Sequence, residues 1–555
     1  MRYIKILFIS FLFLFACALQ AQQAGVPKYE YRAVWLTTVE NLDWPKTRIR
    51  SKADIEVQKM ELVAMLDSLK KLNVNTVLLQ TRLRGDVIYP SSIEPFAHVF
   101  TGVEGRDPGY DPLAFAIEEC HKRGMQIHAW IVSMPLGTDE HVRRQGSLAL
   151  CRNKSSLCTH YTGQWYMEPG NPGTAEYMAG IVKEIVSNYD VDGIHLDYIR
   201  YPDRTQGYPD ASLHRKYGKG KSLASWRRGN ITRVVNAVYN TVKELKPWVR
   251  VSCSPLGKYD TLSRYSSRGW DAYNSVYQAA QEWVRDGVMD ILFPMLYFEG
   301  NNFYPFVLDW LENSAGRHIV PGIGIYRLLP EYGGWRNVEI ERQLRTSRSA
   351  GCAGTGMFRA EHMLGCGKAV YASVYTEPAL VPPMLWASEA PASPLGLVAN
   401  RDAKGVSIEW NAVTAPGNLP ATRYNVYMAI GDTVDTGDIS NLFASNVTGT
   451  SFRCDCRVAG NMSVAVTAVN AYGIESKPSV AVLRNEYTAL VSDYIVLPDT
   501  ISNGWRMVVT DMYGREVYSG RYSRKVIVRG LGSGFYRLEV YDRRGSLLHS
   551  VRFFH

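Results

Sequence analysis

The sequence predicts an α/β fold, a (β/α)8 TIM barrel followed by two small all-β sandwich modules. From residue 31 to about 375, short apolar runs alternate with amphipathic helix patterns, as in a parallel α/β domain. Eight strand candidates occur in this region, the number that a barrel needs. The loop after the first strand contains no glycine, whereas a doubly wound open sheet normally has a glycine-rich phosphate loop there.

The barrel elements are predicted from hydrophobic periodicity, and they occupy residues 29–380. Each strand candidate is a short run rich in apolar residues. The strand candidates are residues 33–38, 76–80, 126–132, 193–197, 249–252, 291–296, 318–323 and 354–358. The helix candidates between them are residues 55–72, 112–123, 174–189, 231–245, 273–286 and 338–349.

Composition changes after Pro378, where a proline-rich stretch to Pro394 predicts a linker. Residues 394–484 contain short alternating strands, an early Trp410 and an Asn-Ala-Tyr-Gly turn at 470–473. This pattern resembles a fibronectin type III domain. Residues 488–555 alternate again, with an Asp-x-x-Gly-Arg hairpin and a Leu-x-x-Gly-x-Tyr strand. They resemble the C-terminal sorting domains of type IX secretion, with a plain accessory β-sandwich as the alternative.

Residues 1–21 have the features of an export signal. Arg2 and Lys5 precede an apolar run, and small residues end it near Ala21. The run is shorter than the roughly 20 apolar residues of a transmembrane anchor. We therefore predict cleavage after Ala21 and export to the periplasm or the outer-membrane surface. An imperfect lipobox leaves lipid attachment at Cys17 as the alternative.

Charge and cysteine content narrow the function classes. The formal net charge is +9, and no basic helix or Lys/Arg patch with interleaved aromatic residues occurs, so nucleic acid is not an expected partner. No Cys/His spacing indicates a zinc site, and neither a metal nor a cofactor is expected. Cys151 and Cys158 bracket a short polar loop and could form a disulfide in an oxidising compartment.

The active site of a barrel lies at the C-terminal ends of its strands, so candidate catalytic residues follow from the strand pattern. His195 and Asp197 share one face of the fourth strand, because side chains alternate along a strand. Asp197 is the best candidate for a nucleophile or charge stabiliser, since nearby arginines would keep its carboxyl ionised. Glu299, after the sixth strand, is the first candidate for the proton donor, and Asp86 is the second.

Aromatic and polar residues near the same strand ends complete the predicted site. Glycoside hydrolysis needs two carboxyl groups that flank the scissile bond, and aromatic faces to hold the sugar rings. His195 is interpreted as a residue that orients its neighbours rather than as the acid. The predicted substrate-binding residues are Trp35, Asp43, Arg82, Trp130, His195, Tyr198, Arg200 and Tyr297.

Three separated motifs, in order, resemble the glycosyl hydrolase-like 10 family. They are residues 32–45 with Trp35 and the Leu-Asp-Trp-Pro run, residues 82–89 with Gly85 and Asp86, and residues 192–202 around Asp197. The resemblance implies a barrel glycosidase of the bacterial envelope that acts on peptidoglycan glycan strands stripped of their peptides. It also implies Asp197 and Asp86 as active-site residues, whereas Glu299 rests on position alone.

The sequence thus predicts an exported glycoside hydrolase of peptide-free peptidoglycan glycan, or of a related N-acetylated polysaccharide, that works by carboxylate acid/base chemistry. In a substrate-assisted variant, Asp197 would polarise the N-acetyl group. Two alternatives stay open: a barrel that binds envelope glycan without cleaving it, and a hydrolase of dietary or host polysaccharide. A second carboxyl within about 10 Å of Asp197 would separate cleavage from simple binding.

Overall fold

The structure is a computed structural model of the chain. It describes residues 26–265, 269–402, 405–455, 461–483, 489–490, 494–498, 501, 504–511, 514–532 and 534–555. The predicted export signal and Cys17 lie outside the described residues. The chain divides into two units, Met1–Ser388 and Glu389–His555.

The first unit is built on a parallel sheet. Its strands are β1 (Tyr31–Leu36), β2 (Thr76–Arg82), β3 (Gln126–Val132), β4 (Pro135–Thr138), β5 (Cys158–Tyr161), β6 (Gln164–Met167), β7 (Gly193–Asp197), β8 (Arg250–Cys253), β9 (Ile291–Leu292), β10 (His318–Ile319), β11 (Gly322–Ile323) and β12 (Gly354–Met357). Nine of them form one sheet in the order β10-β9-β8-β7-β3-β2-β1-β12-β11. β4, β5 and β6 form a separate antiparallel sheet inserted after β3.

The two edges of the parallel sheet meet at a single chain segment. β10 pairs with β9 and β11 pairs with β12, and only Val320 and Pro321 separate β10 from β11. The hydrogen bonding continues across this break, from the Val320 amide to Leu292 and from the Gly356 amide to Pro321. The curled sheet therefore has eight strand positions and a TIM-barrel-like form, as the strand pattern predicts.

Helices connect the strands on the outside of the sheet. They are α1 (Lys52–Lys71), α2 (Pro112–Lys122), α3 (Asp139–Gln145), α4 (Leu150–Asn153), α5 (Gly173–Asn188), α6 (Ala211–Tyr217), α7 (Leu223–Leu245), α8 (Ala280–Arg285), α9 (Tyr304–Glu312), α10 (Asn337–Ala350), α11 (Ala360–Leu364) and α12 (Lys368–Val374). Local sequence sets their ends: the Asp111 carboxylate accepts the Ala114 amide at the start of α2, where Pro112 takes the first turn. None of the described helices has both the length and the apolar character needed to cross a bilayer.

The helix predicted over residues 273–286 is too long. Only Ala280–Arg285 is helical, because the preceding segment is held in turns by side-chain hydrogen bonds. The Asp271 carboxylate accepts hydrogen bonds from the backbone amides of Asn274 and Ser275. The backbone amide of Gln278 donates to the backbone carbonyl of Ala272. Asp and Asn side chains compete with helix formation in this way.

Apolar residues fill two layers of the first unit. Val34 and Leu36 of β1 join the large core between sheet and helices, whereas Ala33 and Trp35 belong to a smaller cluster inside the barrel. The alternation of side chains along the strand produces this division. Trp130 belongs to the inner cluster as well, which places its indole next to the residues at the C-terminal ends of the strands.

The second unit contains only β-structure and short turns among its described residues. Its strands are β13 (Val398–Asp402), β14 (Gly405–Glu409), β15 (Arg423–Ile430), β16 (Leu442–Val447), β17 (Ser451–Cys454), β18 (Met462–Val469), β19 (Ser479–Leu483), β20 (Ala489–Leu490), β21 (Tyr494–Val496), β22 (Arg506–Asp511), β23 (Glu516–Arg521), β24 (Lys525–Ile527), β25 (Phe535–Tyr541) and β26 (Leu547–Phe554). Sheets of three and four strands share a core with Trp410, and sheets of five and two strands share a core with Leu538. The resemblances to a fibronectin domain and a sorting domain stay predictions.

The disulfide that Cys151 and Cys158 could form is absent from the structure. Both are free thiols, and they lie beside Val142 and Trp165 in a small apolar cluster. Burial raises the pKa of the Cys158 thiol to about 12, so this thiol is protonated at neutral pH.

Candidate active site

A cavity of about 790 Å³ lies at the C-terminal ends of the parallel strands. Aromatic side chains and arginines are prominent in its wall. Asp197 and Asp203 are the carboxylates among its described lining residues. Its lining includes Gln80, Arg84, Trp130, Tyr161, Tyr166, Asp197, Tyr198, Arg200, Asp203, Arg204, Tyr297 and Phe358.

Asp197 ends β7 and is 6% exposed at the base of this cavity. Its Oδ1 accepts hydrogen bonds from the Ser254 hydroxyl and the Tyr198 amide, both at 2.8 Å. Its Oδ2 accepts the indole N–H of Trp130 at 3.1 Å. Three donors from three different strand ends therefore fix the carboxyl in one orientation, as a reacting group requires.

Burial raises the pKa of the Asp197 carboxyl above its ordinary value. The hydrogen bonds from Ser254, Tyr198 and Trp130 and the charge of Arg200 oppose this effect without cancelling it. The expected arginine partner is engaged elsewhere, because Arg200 forms its ion pair with Asp203. A raised pKa extends the pH range in which Asp197 is protonated, which suits a proton donor better than the predicted nucleophile or charge stabiliser.

Tyr198 and Arg200 form one wall of the cavity. The guanidinium of Arg200 lies 4.6 Å from the centre of the Tyr198 ring and 5.6 Å from that of Trp270. Tyr198 has a φ of 48°, which turns its side chain out of the strand direction, and the residue is 42% exposed. Tyr297 lies in the same cavity and contacts Phe358 with ring centres 5.6 Å apart. These rings are suited to packing against sugar C–H faces.

His195 lies inside the barrel, fully buried, and not on the cavity surface. Its Nε2 accepts the indole N–H of Trp35 at 3.2 Å, and its Nδ1 lies 3.0 Å from the Ser252 hydroxyl. Since an indole can only donate, His195 is neutral with its proton on Nδ1. Burial also lowers its pKa well below the ordinary value. His195 therefore does not lie where the predicted substrate-binding role would need it, and its orienting role stays a prediction.

Besides His195, three further predicted substrate-binding residues have structural partners instead of lining the cavity. Trp35 is 2% exposed and packs inside the barrel. Asp43 accepts the amide and hydroxyl of Thr37 and forms an ion pair with Arg359, which ties the ends of β1 and β12 together. Arg82 is fully buried and donates two hydrogen bonds to Glu94, at 2.8 and 2.7 Å. The predictions failed because a polar residue at a strand end can form a buried hydrogen bond or ion pair instead of lining the cavity.

Both predicted partners of Asp197 lie outside the cavity lining. Glu299 is exposed and precedes a short turn at Gly300–Asn302. Asp86 is 1% exposed, and its Oδ1 accepts the amide of Arg84 at 2.8 Å, behind the wall rather than in it. Asp203 is the carboxylate that the structure adds to the cavity. Its position in a loop beyond the strand gave no signal in the sequence.

The sequence profile of the glycosyl hydrolase-like 10 family matches residues 30–333, more than half of the chain. The chain belongs to the glycosyl hydrolase-like 10 family. Glycosyl hydrolase YngK of Bacillus subtilis (strain 168) is 31% identical over 386 residues, which cover 64% of this chain and 74% of that protein. Glycosyl hydrolase DigH of Escherichia coli (strain K12) is 32% identical over 296 residues, which cover 50% of this chain and 67% of that protein.

Family membership makes this glycosyl hydrolase-like 10 protein a glycoside hydrolase, so the alternative of a barrel that only binds glycan is not favoured. Among solved structures, Alpha-L-fucosidase isoenzyme 2 from Paenibacillus thiaminolyticus has a TM-score of 0.43 and 18% identity. The match covers 66% of this chain and 52% of that one, and it is too weak to support a conclusion about the site.

Sequence reasoning missed Ser254, the donor that fixes Oδ1 of Asp197 in this glycosyl hydrolase-like 10 protein. In the parallel pairing of β7 and β8, His195 lies opposite Ser252. Two residues further along, Ser254 therefore reaches Asp197, because residues two apart share a face. The Ser-x-Ser spacing is present in the sequence, but only the register of the two strands shows that Ser254 reaches Asp197.

Neutral buried histidines in this glycosyl hydrolase-like 10 protein predict a pH-dependent stability. Burial lowers the pKa of His128 to about 3. In the unfolded chain this imidazole takes up a proton near its ordinary pKa of about 6.5. The buried, neutral His128 therefore stabilises the fold fully above that pH, and this stabilisation is lost as the pH falls. Between pH 7 and pH 5, the free energy of unfolding should therefore fall by about 2 kcal/mol less in His128→Leu than in the wild type. Urea unfolding at both pH values measures it.

His160→Leu provides the control, because His160 is exposed in the inserted sheet. This variant should keep the pH dependence of the wild type. Equal pH dependence of His128→Leu and wild type would contradict the assignment of a buried, neutral His128.

Proposed function

We propose that this protein hydrolyses glycosidic bonds in peptide-free peptidoglycan glycan, with Asp197 as the proton donor to the leaving oxygen. The observation that carries the proposal is the position of Asp197 at the base of the cavity, buried, held by three donors and with a raised pKa. Burial is the part of this environment that suits a general acid, because the acid must be protonated when the glycosidic bond breaks, whereas the three donors fix its orientation.

Asp203 is our proposal for the second carboxyl, in place of Glu299 and Asp86. It lines the same cavity, 63% of its side chain is exposed, and it pairs with Arg200. An exposed carboxylate beside a guanidinium can accept a proton from an attacking water. Substrate assistance by an N-acetyl group is the alternative, in which Asp203 has no catalytic role.

The arginines of the cavity support the choice of peptide-free glycan. Arg84, Arg200 and Arg204 all line it. In peptidoglycan, removal of the stem peptide frees the lactyl carboxylate of N-acetylmuramic acid, which is otherwise held in an amide bond. A guanidinium forms charge-assisted hydrogen bonds with a free carboxylate. Its hydrogen bonds with a neutral amide carbonyl are weaker. The cavity therefore favours the stripped strand.

Arg204→Leu should lower kcat/KM on peptide-free glycan by about tenfold to a hundredfold, the effect of one charge-assisted hydrogen bond. The same variant should cleave a neutral N-acetylglucosamine oligomer at the wild-type rate. Steady-state release of oligosaccharides from both substrates measures this difference.

Arg143→Leu is the matched control, since Arg143 is exposed on α3 and does not line the cavity. It should leave both rates unchanged. Wild-type enzyme that cleaves peptide-bearing glycan, or a dietary or host polysaccharide, faster than peptide-free glycan would contradict the substrate assignment.

Export remains part of the same proposal. The predicted signal at residues 1–21 would bring the enzyme to the envelope compartment that contains its substrate. Mass spectrometry of the protein from the native envelope tests this: an N-terminus at Gln22 supports cleavage after Ala21, a lipid on Cys17 supports the lipoprotein alternative, and an intact Met1 contradicts export through this signal.

A further inference from the structure

A second group of titratable side chains lies behind the cavity wall. Asp86, His98 and Glu104 each offer an atom of the kind that ligates metals, and these atoms lie within 4.8 Å of one another. The side chains of Asp86 and Glu104 are only 1% and 8% exposed. The three residues come from the loop that follows β2, and none of them takes part in the proposed reaction.

Several atoms of this group are buried without a hydrogen-bond partner. They are Oδ2 of Asp86, both carboxylate oxygens of Glu104 and Nδ1 of His98. His98 Nδ1 lies 3.1 Å from Glu104 Oε1, and contact with this carboxylate raises the pKa of His98, so this one oxygen has a close partner. Buried carboxylate oxygens without donors are costly, so each such oxygen requires a compensating group.

The neighbouring cations do not supply this compensation. His141 lies 3.8 Å from Asp86 Oδ2 and 3.9 Å from Glu104 Oε1, too far for hydrogen bonds. Its own ring nitrogens face the carbonyl of Arg84 and the guanidinium of Arg144. Arg144 Nε is 3.6 Å from Glu104 Oε1 and its side chain is 44% exposed. Oδ2 of Asp86 and Oε2 of Glu104 therefore still lack close donors.

We propose that Asp86, His98 and Glu104 bind a divalent first-row transition-metal ion. One imidazole nitrogen and two carboxylates form a mixed N/O ligand set, which suits Zn²⁺ or Mn²⁺ better than Mg²⁺ or Ca²⁺. The ion satisfies the buried oxygens that have no donor. The ligands follow no recognisable sequence spacing, since positions 86, 98 and 104 meet only through the fold of one loop.

The ion has a structural role that reaches the active-site cavity. While Oδ2 of Asp86 points to the metal position, Oδ1 accepts the amide of Arg84, whose side chain lines the cavity. Gly85 between them has a φ of 76°, and a Cβ there would lie 3.1 Å from Leu136. The backbone at Arg84 is thus tightly placed, and metal binding to Asp86 fixes this part of the wall.

The full chain without an affinity tag, treated with EDTA and dialysed, is titrated with ZnCl₂ and MnCl₂, and with MgCl₂ and CaCl₂ for comparison. We expect one equivalent of Zn²⁺ or Mn²⁺ per chain by elemental analysis after gel filtration, with a melting temperature several degrees higher. His98→Gln and Glu104→Gln should each weaken binding by at least tenfold. His160→Gln, which removes an exposed histidine paired with Asp139, should bind as the wild type does.

Binding is read independently of activity, so failure of the proposed hydrolysis does not affect this test. Glu104→Gln is nearly isosteric and carries the test if His98→Gln does not fold. A wild-type protein that retains less than a tenth of an equivalent of either metal and shows no melting shift would overturn the proposal, leaving a buried ion-pair network. Wild-type affinity in both variants, or preference for Mg²⁺ or Ca²⁺, would overturn it as well.

Discussion

Asp197→Asn is expected to lower kcat on peptide-free glycan by about a hundredfold to ten-thousandfold, the usual contribution of a general acid. Asparagine has nearly the shape of aspartate, and its carbonyl oxygen at the Oδ1 position can still accept hydrogen bonds from Ser254 and the Tyr198 amide. Its NH2 group at the Oδ2 position cannot accept the Trp130 indole N–H, and it cannot donate a carboxyl proton to the leaving oxygen. The main loss should therefore appear in kcat, with KM changed little and the melting temperature lowered by the lost Trp130 hydrogen bond.

The control is Asp309→Asn, because burial raises the pKa of Asp309 as well, although it lies on the outer helix α9. This variant should keep the wild-type kcat. Turnover of the glycan by Asp197→Asn at the wild-type rate would rule out Asp197 as the acid. A parallel loss in Asp203→Asn would favour two carboxyl groups, and wild-type activity of Asp203→Asn would favour substrate assistance.

Arg82→Met is expected to lower the free energy of unfolding by about 3–5 kcal/mol, the cost of leaving a buried charge without its partner. Arg82 and Glu94 are both buried, with side chains 0% and 1% exposed, and Arg82 also donates to the carbonyl of Ser133. Methionine fills much of the volume but donates no hydrogen bond, so Glu94 keeps only the Tyr177 hydroxyl as a donor among these groups. Chemical denaturation followed by circular dichroism measures the loss.

Lys59→Met is the control, because Lys59 forms a surface pair with Glu56 on α1 and such pairs contribute about 1 kcal/mol or less. Arg82 was predicted from the sequence to bind substrate, and the same experiment tests that prediction. A variant of unchanged stability with a KM raised tenfold would support substrate binding and contradict the structural role. Destabilisation with an unchanged KM at low temperature would support the buried ion pair.

The fold could be predicted from the sequence because the local hydrophobic periodicity of most segments agrees with the element that each segment forms in the barrel. Apolar runs of strand length recur between amphipathic helices, and all eight predicted strand segments lie on or beside strands of the curled sheet. The shortened helix at 280–285 shows where this agreement ends. There the periodicity is helical, but side-chain hydrogen bonds from Asp271 and neighbouring turns hold the backbone in another conformation.

The candidate site was only partly accessible. Alternation along the fourth predicted strand placed His195 and Asp197 on one face, and in the structure Asp197 lines the cavity whereas His195 is buried inside the barrel. The predicted effect of arginine on Asp197 is present but is not the largest one: the charge of Arg200 lowers the pKa, whereas Arg200 pairs with Asp203 and burial raises the pKa by more. Burial and partner choice depend on residues far apart in sequence, which no local pattern reports.

The sequence by itself determined the alternation of strands and helices, the strand that ends in Asp197 and the family to which the chain belongs. These are properties of local periodicity and of contiguous motifs. The tertiary structure decided which polar residues face the cavity: Asp197, Trp130 and Arg200 do, whereas Arg82, Asp43 and Asp86 are buried ties. The physical reason is that a strand end positions a residue at the mouth of the barrel, but packing and ion pairing decide whether its side chain meets solvent or protein.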